Sequence, residues 1–326
     1  MDLVFNRNFD PRHGEAVPVA PGVRRVTAPN PGPFTFGGTN TFLIGEDALA
    51  VLDPGPANPA HIAALLQAIG DAEVAHILVS HTHRDHSPGA RLLQAATGAT
   101  ILAAGPHRPA RPLAGLDEKQ RPDAGADLDF LPDVALADAE IVEGPGYRLQ
   151  AIATPGHTAN HLAFALLGAD LLFSGDHVMG WATTIVAPPD GAMADYMASL
   201  DKLAARPESR YLPAHGGAID EAHAYVRGLR GHREMRERAI MERLAAGDQT
   251  VAEIVSRVYE GLDPALVPAA ALSTLAHLEH LVERGLAGST GASIAAARYW
   301  LADPRSSGGS GGDSTGAGGG GAVRLG

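Results

Sequence analysis

The stretch SHTHRDHSPG, residues 80–89, sets His81, His83, Asp85 and His86 close together on one short segment. It follows VAHILVS (74–80), an apolar run of strand length, so it reads as the exit of a buried strand. In an extended segment, side chains two residues apart point the same way. His81 and His83 can therefore grip one ion together, while Asp85 and His86, past the bend, face a second. Zinc accepts imidazole nitrogen and carboxylate oxygen at about 2.0–2.2 Å. A lone histidine here would read as part of a solvated loop. This cluster, beside Gly and Pro, reads instead as half of a metal site.

The other half must come from elsewhere in the chain, at similar strand exits. Three places fit. His157 follows the strand in AIATPGHTANH (151–161), Asp176 ends DLLFSGD (170–176), and His215 lies near the end of RYLPAHGG (210–217). Each has a glycine beside it that permits a tight turn. Strand exits along one edge of a sheet converge in space, so these residues are expected to meet the first cluster.

Composition narrows the chemistry. The chain has 326 residues, 45% hydrophobic and 19% charged, with no cysteine. Disulfides and thiolates are excluded, and any metal must be held by histidine and carboxylate. The formal net charge of −12 argues against a broad nucleic-acid-binding face. No uninterrupted apolar run reaches the roughly 18 residues that span a bilayer, so no membrane partner is expected. The opening MDLVFNRNFDPRHGEAVP (1–18) has no secretory apolar core, and cytoplasmic residence is the expectation.

Strand and helix alternate from residue 40 onward, which predicts an α/β layered fold. NTFLIG (40–45), ALAVLD (48–53), VAHILVS (74–80) and ATILAA (99–104) read as strands; NPAHIAALLQAIG (58–70) and PGARLLQAATG (88–98) read as helices. Residues 105–135 read as a long loop, a candidate lid. Strands resume at 147–154, 161–168 and 170–176, a helix is expected over 193–205, and a long charged helix over 220–246. Three regions follow: 1–246 as the catalytic domain, 247–303 as a winged-helix-like module, and 304–326 as a disordered Gly/Ser-rich tail.

HTHRDH, TPGHT, SGDH and PAHGG together resemble the metallo-β-lactamase superfamily over about residues 20–235. The resemblance implies an αβ/βα four-layer sandwich and a hydrolase that uses a metal-bridging hydroxide on a small ester, thioester, lactone or lactam. It implies two Zn2+ ions, with Fe or Mn as alternatives for such ligands. His81, His83 and His157 would hold one, Asp85, His86 and His215 the other, with Asp176 bridging. Asp53, in AVLDPG, would orient the metal loop, and Asp85 would help steer a proton. His161 and His177 read as packed or supporting histidines. The absence of cysteine departs from many zinc β-lactamases, so antibiotic hydrolysis is not the expected native role.

A nearer resemblance reaches residue 302. FSGDHVMGWATTIVAPPDGAMADYMASLDKL and GHREMRERAI, with the terminal module, resemble a β-lactamase-like subgroup that includes a mitochondrial endoribonuclease and many bacterial hydrolases. His232, Arg233 and Arg236 match its HR-x-x-R stretch and are read as substrate-anion contacts on one face of the late helix. Cleavage of single-stranded RNA is the alternative function, and its signature would be a basic groove joining Arg233 and Arg236 to the metals. Specific DNA binding is not expected: the helix AALSTLAHLEHLVERGLA (270–287) carries Glu279 and Glu283 against a single basic Arg284. A homodimer is left open.

Overall fold

A computed structural model of the chain describes residues 3–111, 125–290 and 297–302. The predicted tail, the middle of the 105–135 loop and residues 291–296 of the predicted module lie outside the described residues.

Seven strands form one sheet in chain order: β1 (Val17–Ala20), β2 (Val23–Thr27), β3 (Asn40–Gly45), β4 (Ala48–Leu52), β5 (Glu73–Leu78), β6 (Thr100–Ala103) and β7 (Val134–Ala135). Antiparallel meanders join β1 to β4, and parallel pairing runs from β4 to β7. Parallel steps need crossovers, and α1 (Pro59–Ile69) and α2 (Gly89–Thr97) supply those from β4 to β5 and from β5 to β6. Asn58 caps α1 by accepting from the Ala60 and His61 amides, and Pro59 opens it where a missing N–H costs nothing. A five-stranded sheet follows in the order β12-β11-β10-β9-β8, from β8 (Ile141–Gly144), β9 (Tyr147–Ala153), β10 (Leu162–Leu166), β11 (Leu171–Gly175) and β12 (Arg210–Pro213). Helices α3 (Met193–Ala204) and α4 (Ala222–Ala245) cover its outer face.

Strand alternation builds the layers. Along β3, Phe42 and Ile44 face the core between the sheets, with Phe164, Phe173 and Leu212, while Leu43 turns outward to Leu65 and Leu93 beneath α1 and α2. The Phe42 and Phe173 rings meet at 5.0 Å between centroids. Covered on both faces, these strands read as unbroken apolar runs. Each fully buried Leu or Phe contributes about 1.5–3 kcal/mol relative to exposure. The four-layer αβ/βα arrangement is the expected one.

The C-terminal module holds α5 (Val251–Val258), α6 (Val267–Glu283) and the antiparallel hairpin β13 (Ala287–Thr290) with β14 (Arg298–Leu301). Thr250 and Glu253 form a reciprocal capping box on α5. Its core joins Ile254, Leu275, Leu278 and Tyr299 to Ile240 and Leu244 of α4, so one long helix serves both units. The helix over Pro264–Glu283 is long and apolar enough, by length and composition, to cross a membrane, which the sequence reading had not singled out. In this structure one face of it packs in the module's core, with Leu275, Leu278 and Leu281 buried, while much of the rest is accessible. Its charges face inward partners: Glu237 of α4 accepts from His280 Nδ1 at 2.6 Å and from Arg284 at 2.9 Å, and Glu279 pairs with Arg111 at 2.6 Å.

Candidate metal centre

Five strand ends meet at one edge of the sandwich. Parallel β4 and β5 deliver Asp53 and the 81–86 loop, while β9, β11 and β12 deliver His157, Asp176 and His215. Gly175, just before Asp176, has φ +52, and a Cβ there would lie 2.5 Å from His161 Nε2. Only glycine permits both the turn and the approach.

The side chains converge in three overlapping groups that can hold a cation: His81 with His83 and His157; His81 with His86 and Asp176; Asp85 with His86 and His215. His83 Nδ1 lies 3.0 Å from both His81 Nε2 and His157 Nε2. Asp85 Oδ2 lies 3.2 Å from both His86 Nε2 and His215 Nε2. The edge of a tetrahedron around an ion with ligand bonds of about 2.0–2.1 Å is about 3.3 Å. Asp176 joins the groups: Oδ1 is 3.3 Å from His215 Nε2, and Oδ2 is 3.6 Å from His86 Nε2 and 3.7 Å from His157 Nε2. His86 Nε2, His215 Nε2 and Asp176 Oδ1 are buried with no hydrogen-bond partner. Buried polar atoms seldom go unpaired, so this donor set suits a cation.

Four of the five histidines have the other ring nitrogen engaged. His81 Nδ1 is 3.0 Å from Ser80 Oγ, His86 Nδ1 3.2 Å from Asp53 Oδ2, His157 Nδ1 2.6 Å from the Ile185 carbonyl, and His215 Nδ1 3.2 Å from the Gly38 carbonyl. Such partners fix the tautomer that presents the inward lone pair. Asp53 also accepts from the Ser80 amide and hydroxyl, each at 2.7 Å, so one carboxylate orders histidines from two groups. His161 accepts from the Asp176 amide through Nε2 at 3.1 Å and contacts Thr154 Oγ1 through Nδ1 at 2.8 Å. The Thr184 hydroxyl donates to the Asp176 carbonyl at 2.7 Å. His177 is buried against the Tyr196 ring and joins none of the groups.

Burial works against charge at Asp176, His215, His86, His81 and His157. At Asp176 it is outweighed by His215 and His86, and the carboxylate stays well below its usual range. At His215 burial is outweighed by Asp176 and Asp85, which raise the imidazole to about 10. His86 is raised in the same way by Asp85 and Asp176. Burial, reinforced by neighbouring imidazoles, lowers His81 well below normal and His157 to about 4, which keeps their lone pairs free. The carboxylates thus call for positive charge within the cluster, which a divalent ion would supply.

Two residues in the loops around the cluster went unread in the sequence. Asp190 Oδ2 sits 3.7 Å from His83 Nε2, and its Oδ1 is 3.4 Å from His107 Nε2. Their only signal in the sequence was a ligand-type residue in the 105–135 loop, the candidate lid, and another in the loop that follows SGDH. The described part of the 105–135 loop is tied down, with Ala110 N–H donating to the Pro189 carbonyl.

His232, Arg233 and Arg236 do not share a face as expected. His232 lies in a depression with Leu3, Arg227 and Arg238. Arg233 is buried, donates to the Thr184 carbonyl, and stacks 5.0 Å from the Tyr196 ring. Arg236 donates to the Val258 carbonyl and lies 4.1 Å over Tyr259. Successive helix positions diverge by about 100°, which separates His232 from Arg233.

Comparison with known proteins gives the same outline. A model of the metallo-beta-lactamase superfamily matches residues 34–215, and one of the beta-lactamase associated winged helix domain matches residues 250–298. A beta-lactamase-like protein 2 homolog from Caenorhabditis elegans is 31% identical over 73% of this chain and 76% of its own. An atrochrysone carboxyl ACP thioesterase from Aspergillus chevalieri is 29% identical over 79% of this chain and 82% of its own. The crystal structure of a metallo-beta-lactamase family protein from Thermus thermophilus superposes with a TM-score of 0.70 at 25% identity, covering 86% of this chain and 99% of that one.

Proposed function

Because the chain belongs to the metallo-β-lactamase superfamily, we propose that it is a dinuclear zinc hydrolase of small thioesters and related esters, lactones or lactams. The observation that carries this reading is Asp176, whose two oxygens lie 3.3–3.7 Å from imidazole nitrogens of both flanking groups. His81, His83 and His157 would hold one ion, Asp85, His86 and His215 the other, with Asp176 shared. Bound zinc supplies a water acidified toward neutrality and polarises the substrate carbonyl. The protein's part is to hold those positions. Asp53 and Ser80 set the tautomers of His86 and His81. His161 and Thr184 pin the Asp176 backbone. Asp85, partly exposed beside His86 and His215, would help steer a proton. The fungal relative named as a thioesterase supports the thioester among these substrates.

The test is elemental analysis of purified protein, followed by a panel of thioesters, lactones, β-lactams and single-stranded RNA. Two zinc ions per chain with thioester cleavage is the expected result. Cleavage of RNA alone would replace this reading with the nuclease one, and a stably metal-free, active protein would end it.

A further inference from the structure

Between the 181–185 loop and the winged-helix module lies a half-open cavity of about 260 Å3. Its walls are apolar, among them Phe34, Trp181, Leu262 and Ala270. Among the described residues, its only charged lining residues are Arg7 and Arg233, with no acidic residue, in a chain of formal net charge −12. Arg233 is 3% exposed. One Nη donates to the Thr184 carbonyl, while Nε is buried without a partner. Among the described residues Arg233 makes no ion pair. A buried guanidinium is ordinarily paired, because an unpaired buried charge is costly.

We propose that this cavity binds an apolar acyl group ending in a carboxylate, which Arg233 receives at its base and Arg7 attracts. Guanidinium matches carboxylate geometry better than any other side chain does. The walls are mostly apolar and leave Arg233 to discriminate charged from neutral ends. The proposal rests on the hydrolase reading in one respect, that the bound group belongs to the substrate. The cavity touches the centre through one segment: Arg233 holds the Thr184 carbonyl, and His157 holds the next carbonyl, Ile185.

The experiment is calorimetric titration of the zinc-loaded protein with octanoate and with octanamide, its neutral counterpart. Octanoate should bind at least about 30-fold more tightly, and Arg233→Gln should abolish the difference. Arg233 also packs in the interior, so Ala269→Phe provides a second variant. It fills the cavity from α6, leaves Arg233 and the metal ligands in place, and should remove binding of both probes. Equal affinity for the two probes, no binding of octanoate, or octanoate binding unchanged in Ala269→Phe would overturn the proposal; in the last case the carboxylate sits on the metals. Octanoate binding in a protein that cleaves nothing would sink the hydrolase reading alone. Thioester cleavage with no preference for a terminal carboxylate, in KM or kcat, would sink the cavity alone.

Discussion

Replacing Asp53 with Asn should weaken both metal positions without removing a ligand. Asp53 Oδ1 accepts from the Ser80 amide, and Oδ2 accepts from the Ser80 hydroxyl and faces His86 Nδ1. An amide oxygen can keep the first bond. The amide nitrogen then meets two donors. To avoid that clash, the His86 proton must move to Nε2, which closes the lone pair aimed at the cluster. The Ser80 hydroxyl must also turn, and its contact with His81 Nδ1, at 3.0 Å, loosens. Loss of such a partner typically weakens metal binding by about 10–100-fold, or about 1.4–2.7 kcal/mol per ion. With one histidine affected in each set, the product of the two binding constants should fall by about 10²–10⁴. Chelator competition followed by elemental analysis measures both constants, and circular dichroism checks the fold. Ser80→Ala is the contrast: it touches the His81 path alone and should spare the His86 ion. Wild-type affinities in Asp53→Asn, or identical profiles for the two variants, would refute the reasoning.

Asp176→Ala should lower metal content and hydrolysis in parallel, since Asp176 lies within reach of both histidine groups; retained activity in a folded, metal-poor variant would contradict this. Gly175→Ala should destabilise the fold by about 2 kcal/mol or more, measured by urea unfolding, because it meets both a left-handed φ and His161. At Glu237 burial opposes ionisation but His277 and His280 outweigh it, taking the carboxyl from 4.5 to about 2. A depressed carboxyl stabilises the folded state above its unfolded value and loses that contribution as pH falls through the folded one. The melting-temperature gap between wild type and Glu237→Gln should therefore be open at pH 6 and close between about pH 4.5 and 2.

The metal cluster was legible because its ligands sit at ends of apolar strands, where local pattern and tertiary position coincide. The sandwich was legible for the same reason: strands buried on both faces announce themselves as unbroken apolar runs. β1 and β2 were not read. VRRVT hides its alternation behind two arginines, yet Arg24 reaches the Ala68 carbonyl and Arg25 lies over Phe9 at 4.5 Å. Their aliphatic stems pack while their heads find carbonyls and a ring, which a polar/apolar count scores as exposure. Asp190 was hidden because only the meeting of two loops, remote in sequence, sets it beside His83. Arg233 was grouped on one face with His232, yet it is buried and His232 is not, because α4 packs against the second-sheet layer on one side and the module on the other.

That sandwiching bears on how specificity and metal binding are separated in this fold. The Thr184–Ile185 peptide is a wall of the cavity and a support of the centre at once: its carbonyls take Arg233 and His157, and the Thr184 hydroxyl takes the Asp176 carbonyl. A substitution in this segment moves cavity and ligands together, so its effects on KM and metal affinity cannot be independent. The opposite wall is free of that coupling. Leu262, Leu266, Ala269 and Ser273 line the cavity from the winged-helix side and contact no metal-ligating group in the hydrogen-bond network. If the cavity is the acyl site proposed above, changes in substrate preference that spare the metal-binding groups are expected at these module positions and at Arg7 and Phe34, which also line it apart from the Thr184–Ile185 peptide; that would give a small helical appendage a physical role in selecting the substrate.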